Sequence, residues 1–214
     1  MVYLYINKKN INPNSFDKNN ILNTIFKNYK KSNERNSWDN NSHISSKIHH
    51  SLCDEKNENF EQPDFSSLIP VYKSEIEKYL KMMNYQNLTF TFDIVNYTVM
   101  TKDSHMTNHI HTACDFTTVH YLKYDNQSFD STLFHNSNDY AKFLRTTLSK
   151  SLPKVSDSKS INNSWIYQTF KLPTQENDFL IFPAILEHSV PRIESDDKRV
   201  TVVANINVKE IENA

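Results

Sequence analysis

At 214 residues, with 37% hydrophobic and 12% aromatic residues, the chain can bury one sizeable core and is too apolar to be disordered throughout. A net charge of -1 and a sequence pI near 6.8 argue against nucleic-acid binding driven by bulk charge. No apolar run approaches the roughly 20 residues that cross a bilayer, the first residues lack a secretory pattern, and two cysteines, Cys53 and Cys114, cannot build a disulfide framework.

These features lead to the expectation of a cytoplasmic protein (host cytoplasm if viral) with no membrane partner. Glycine is absent, against about 7% in an average protein. Asn and Asp must therefore cover most left-handed backbone positions, since they tolerate that region best among the other residues. Abundant Asn, Lys, Ile, Tyr and Phe with few Ala and Arg follow AT-rich codons, so the composition predicts an AT-rich source genome such as that of a phage.

In chain order, the first 63 residues read as a polar extension packing on the core. It holds a strand at "VYLYI" and a helix at "ILNTIFKNY", then irregular sequence in which His49 and His50 are expected as solvated loop residues. From Asp64 the period changes. Phe65, Leu68, Ile69, Tyr72, Ile76, Tyr79, Leu80 and Met83 recur at three- and four-residue spacing, which predicts an amphipathic helix covering a sheet, with Pro70 in its first turn.

Strand-like segments follow nearly to the end. "LTFTFDIVNYTVM" reads as a strand pair or one long bent strand; "DFTTVHYLKY", "STLFH", "WIYQTFKL", "DFLIF" and "RVTVVANINV" read as strands. Residues 138–164 read as an inserted helix and loop. The whole, 1–214, is expected to be a single domain: mainly β, with flanking helices around a sandwich or barrel.

Two regions carry chemistry. "SHMTNHIHTACDF" crowds His105, His109 and His111 ahead of Asp115, and His188 comes far later at a strand edge. Two His at i and i+2 at a strand end project to one side, and a distant third can close a metal site; neutral imidazole suits iron, zinc, copper or nickel. His105 is expected to be a loop residue. On the last strand Arg199, Thr201, Val203 and Asn205 share one face, and Val200, Val202, Ala204, Ile206 and Val208 the other. A cation on a core strand needs a partner. A bound carboxylate would meet Arg199 in bidentate fashion; the plainer reading has it reaching solvent or pairing with Asp196 or Asp197.

The run "HIHTACDFTTVHYL", "STLFH" and "WIYQTFKLPTQENDFLIFPAILEHSVPRIESDDKRVTVVANINV" resembles the Fe(II)/2-oxoglutarate-dependent oxygenases. The likeness is greatest to a phage and marine-bacterial branch with a His-x-His stretch, a Phe-Pro…His-Ser-Val turn and a last strand running from Arg to Asn. "SNERNSWDN" is similar to an early segment of that branch. The resemblance implies a double-stranded β-helix (jelly-roll, cupin-like) core, Fe(II) as metal and 2-oxoglutarate as cosubstrate. It implies His109 and His188 as iron ligands, Arg199 with Thr201 on the far carboxylate of 2-oxoglutarate, and the Tyr121 hydroxyl against the same carboxylate. It implies a hydroxylase coupling 2-oxoglutarate decarboxylation to C–H oxidation.

The family at large has His-x-Asp/Glu where this chain has His-x-His. The third ligand is thus His111, or Asp115 from four residues on, or neither, with His111 beside the site. Two other readings stand next to the oxygenase: a cupin-like three-His metalloenzyme, and a non-catalytic jelly-roll binding or virion-associated protein. The substrate stays open among a protein side chain, a nucleotide and a small metabolite.

Overall fold

A computed structural model describes residues 6–31, 48–51, 60–85, 88–135 and 169–211. The expectations for "VYLYI" up to Tyr5, for "SNERNSWDN" and for 138–164 lie outside the described residues. Two α-helices are described, α1 (Lys18–Lys31) and α2 (Leu68–Met82). The strands are β1 (Asn7–Asn10), β2 (His49–His50), β3 (Leu88–Met100), β4 (Met106–His109), β5 (Phe116–Lys123), β6 (Leu133–His135), β7 (Thr169–Lys171), β8 (Asp178–Pro183), β9 (His188–Val190) and β10 (Arg199–Glu210). They form a six-stranded sheet in the order β1-β8-β5-β10-β3-β2 and a four-stranded sheet in the order β4-β9-β6-β7, with every pair antiparallel.

The helices cover one face of the large sheet, and the small sheet covers the other. Strand alternation sorts side chains between these two interiors. From β8, Phe179 and Ile181 join Ile21, Ile25, Tyr72, Ile76 and Tyr79 on the helix side, while Leu180 and Phe182 meet Phe134, Phe170 and Val190 between the sheets. The same division holds on β10: Val200, Val202, Ala204 and Ile206 pack under the helices, and Val203 faces the small sheet. Each fully buried Ile or Phe contributes roughly 1.5–3 kcal/mol, so both interiors hold the large sheet in place.

Helix α2 buries Leu68, Tyr72, Ile76, Tyr79 and Leu80, with Pro70 in its first turn, where the missing N–H costs little. Ile69 departs from the expected stripe and is exposed, because it lies off the narrow seam set by 68, 72, 76 and 79. α1 starts at Asp17, whose carboxylate accepts from the Asn20 N–H at 3.3 Å. "LTFTFDIVNYTVM" is one continuous strand, paired along its length with β10. A bulge opposite Val203/Ala204 inserts Val95 into β3, and a second on β5 inserts Leu122 opposite Val200/Thr201.

One expectation is corrected. His49 and His50 are not solvated: as β2 they pair with Val99 and Thr98 of β3 and are buried. The His49 ring sits among Tyr29, Phe60 and Tyr97, so aromatic packing outweighs the polar local sequence. His109 and His188, expected at strand edges, lie within short strands. They belong to β4 and β9, too short to show a period in sequence.

Four described non-glycine residues have positive φ: Asn84, Asp103, Asn177 and Ala113. Three are the Asn and Asp expected to replace glycine. Ala113 alone has no polar side chain to offset the Cβ penalty of the left-handed region, about 1–2 kcal/mol. No helix among the described residues is long and apolar enough to cross a membrane.

Candidate metal centre

The β4–β9 pairing sets His109 directly opposite His188, with ring centroids 4.2 Å apart. His111 lies two residues past the end of β4. Its backbone N–H donates to the Ala184 carbonyl at 2.9 Å, and the Ala184 N–H donates to the Asp115 carbonyl at 3.0 Å. These bonds staple the 110–115 connection to the turn that precedes His188. The His111 ring stacks on His188 at 5.2 Å with planes 6° apart. One ligand atom from each of the three imidazoles lies within 4.8 Å of the others.

The hydrogen bonds also orient the rings. His109 Nδ1–H donates to the Thr107 carbonyl and His188 Nδ1–H to the Leu186 carbonyl, each at 2.8 Å. A backbone carbonyl can only accept, so it fixes the proton on Nδ1 and leaves the Nε2 lone pair bare. Burial favours the neutral form of all three rings. It lowers the His109 pKa; burial and then His109 bring His111 down to about 4; burial and then His109 bring His188 down to about 3. Neutral, oriented imidazoles are what a divalent transition metal requires.

The same cleft between the sheets is lined by Arg199, Thr98, Thr201, Thr132 and Asn96. Arg199 is 1% exposed and the largest fully buried side chain described. Its neighbours are the Met100 sulfur, 3.3 Å from Nη1, and the Tyr121 ring, 5.1 Å from the guanidinium carbon. Its Nε has no hydrogen-bond partner, and no carboxylate pairs with it among the described residues. The plainer reading of Arg199, as a solvent-reaching or Asp-paired residue, is therefore corrected. A guanidinium keeps its charge at any ordinary pH and is costly to bury alone. Beside it, the Thr201 and Thr98 hydroxyls meet at 2.8 Å, directly opposite each other on β10 and β3.

Other sequence candidates fall elsewhere. Asp115 is not among the clustered donors: its carboxylate accepts from the Val208 N–H at 2.8 Å, and its own N–H donates to Ile206. His105 lies between strands, outside the cluster. Tyr121 is fully buried, and its hydroxyl is engaged by Thr132, at 2.7 Å from Oγ1 and 3.1 Å from the backbone N. Thr132, which sequence reading passed over, is the one of the two that lines the cleft. Thr98, Thr117 and Asn96 were also missed. Only Asn205 left a signal, through its place on the Arg199 face of the last strand.

Solved structures of similar fold include a Pseudomonas putida prolyl-4-hydroxylase, with TM-score 0.51 and 7% identity over 94% of this chain and 91% of that one. A Trichoplax adhaerens prolyl hydroxylase, solved with a hypoxia inducible factor peptide fragment, gives 0.52 and 12% over 94% and 83%. AviO1 from Streptomyces viridochromogenes Tue57 gives 0.53 and 9% over 96% and 91%. Such likeness defines the architecture: a jelly-roll, double-stranded β-helix core of the kind found in these enzymes. Comparison with curated protein sequences gives no match. The family model described as "Putative 2OG-Fe(II) oxygenase" matches residues 96–205, half of the chain, and includes every residue of the cleft named above. The chain belongs to this family of 2-oxoglutarate-dependent Fe(II) oxygenases. Its metal and cosubstrate are those of the family, Fe(II) and 2-oxoglutarate.

Proposed function

We propose that His109, His111 and His188 hold Fe(II) as three neutral nitrogen ligands, and that Arg199 receives the distal carboxylate of 2-oxoglutarate. One observation carries this reading: a buried, acid-free guanidinium lines the same cleft as three clustered imidazoles. A dicarboxylate that chelates a metal with one end and reaches Arg199 with the other would satisfy both. Fe(II) with 2-oxoglutarate and O2 supplies the oxidising power, releasing succinate and CO2 as a substrate C–H bond is oxidised.

The chain's own residues do the rest. His109 and His188 present Nε2 because backbone carbonyls hold Nδ1–H. Thr201, supported by Thr98, offers a hydroxyl to the carboxylate beside Arg199. Tyr121 acts from below, its ring under the guanidinium and its hydroxyl steadying Thr132, which stands nearer the cosubstrate. The apolar walls given by Met106, Val119, Val190 and Val203 exclude water and strengthen the electrostatic contacts.

The domain reading is a single unit over 1–214, with 1–63 packed on the core and 138–164 inserted in it. The substrate class is a peptide side chain or a small molecule, and specificity lies in the connections around the cleft. A cytoplasmic site of action, and a phage-like source with an AT-rich genome, complete the reading; a GC-rich coding gene would remove the latter.

The direct test is an anaerobic titration of the protein with Fe(II) and 2-oxoglutarate, followed by visible absorption. A charge-transfer band that needs both components is expected. Fe(II) uptake with no 2-oxoglutarate binding would favour the cupin-like three-His metalloenzyme instead. Absence of metal uptake would leave a non-catalytic jelly roll.

A further inference from the structure

His111 stands where the family at large has a carboxylate, so something in this chain must hold an imidazole there. His109 and His188 are oriented by carbonyls of their own strands or turns, two residues before each ring. His111 has no such local carbonyl. Its Nδ1 instead faces Thr117 Oγ1 at 3.5 Å. Thr117 and Asn205 stand directly opposite each other on β5 and β10, and Thr117 Oγ1 lies 3.3 Å from both Asn205 Oδ1 and the Ala204 carbonyl.

Proton accounting gives this trio an arrangement in which one hydroxyl serves both neighbours. Thr117 has a single hydroxyl hydrogen, and Asn205 Oδ1 and the Ala204 carbonyl can only accept. With the Thr117 hydrogen donated to Asn205 Oδ1, a hydroxyl lone pair is left as the acceptor facing His111 Nδ1. That arrangement puts the proton on His111 Nδ1 and leaves Nε2 bare, matching the other two imidazoles. Asn205 is two residues from Val203 and six from Arg199 on one strand, so β10 would carry both the carboxylate-binding cation and the support for the third ligand.

We infer that Asn205, acting through Thr117, is the positioning residue that lets His111 serve as the third metal ligand. The inference rests on the three-His reading above. The oxygens that face and support His111 belong to a hydroxyl and a neutral amide, so they add no negative charge beside the ring.

The test uses Co(II) as probe, titrated into the metal-free protein and followed by visible absorption, with ¹⁵N shifts of the histidine rings recorded before metal is added. Asn205→Leu is expected to weaken Co(II) binding by roughly tenfold or more, the usual range for losing such a support, and to shift the His111 ring nitrogens towards a mixed tautomer. Asn205→Asp keeps an acceptor oxygen in place and is expected to restore binding to near wild type. Unchanged affinity and tautomer in Asn205→Leu, or equal weakening in both variants, would overturn the positioning role. His111→Ala separates this from the underlying reading: if it binds Co(II) as well as wild type does, or if wild type binds none, the three-His site itself fails.

Discussion

His109 and His188 face each other across a two-strand pairing of only a few residues, their rings 4.2 Å apart. Two strands from distant parts of the chain thus bring two imidazoles together by register alone. Removing either ring should break the site without breaking the fold. His188→Ala should lower Co(II) or Fe(II) affinity by 100-fold or more while leaving the far-ultraviolet circular dichroism unchanged; titration of the metal-free protein measures the first.

Arg199 should affect the cosubstrate and spare the metal. Arg199→Met fills the space without the charge, and its 2-oxoglutarate affinity should fall by on the order of 100-fold, the scale for truncating a buried ion-pair partner. Calorimetry on the Fe(II)- or Co(II)-loaded protein would measure this. Arg199→Lys should recover only part of the loss, because an ammonium cannot make the two parallel bonds of a guanidinium. Since a solitary buried cation is unfavourable, Arg199→Met should also be no less stable than wild type.

Asp115 should be silent at the metal. Its carboxylate is committed to the Val208 N–H, so Asp115→Asn should bind Co(II) within about twofold of wild type and change stability by about 0.5 kcal/mol or less. A large loss of metal in this variant would return Asp115 to the ligand set.

Acid should destabilise the fold well above the carboxylate range. His120 is fully buried, its Nδ1 2.9 Å from the Tyr72 hydroxyl and its Nε2 without a partner; burial, then Lys18, lowers its pKa to about 3. A histidine with a lowered folded pKa stays neutral in the native state while the unfolded chain protonates near pH 6.5. Its stabilising contribution is therefore present above pH 6.5 and is lost as pH falls towards 3. By pH 5 the loss from His120 alone is about 2 kcal/mol. Urea unfolding at pH 7 and pH 5 should show a smaller pH difference in His120→Gln than in wild type.

Ala113 is the one described left-handed residue that is neither Asn nor Asp, and it sits between His111 and Asp115. Ala113→Gly relieves the Cβ clash but frees the unfolded chain, for a net gain of about 0.5–1 kcal/mol. Thermal unfolding should rise by about 2 °C. A fall in stability would mean that the connection is held by contacts of the Ala113 methyl.

The sequence by itself determined the elements whose pattern is local. The α2 stripe repeats every three to four residues, β10 alternates without interruption, and Asn or Asp occupies most turns that glycine would otherwise fill. The types of the site residues were legible for the same reason: His109, His111, His188 and Arg199 each stand out from their immediate neighbours. What only the tertiary structure decided is non-local. β4 and β9 exist because each pairs with a partner, not because three or four residues prefer to be extended. His49 and His50 are buried because β3 and three aromatic rings lie there. Backbone amides separate His111 from Asp115: Val208 takes the carboxylate, Ala184 holds the loop, and the His111 imidazole clusters with the other two. Asn205 was on the Arg199 face of its strand from the start, but only the pairing with Thr117 set it behind the hydroxyl that faces His111.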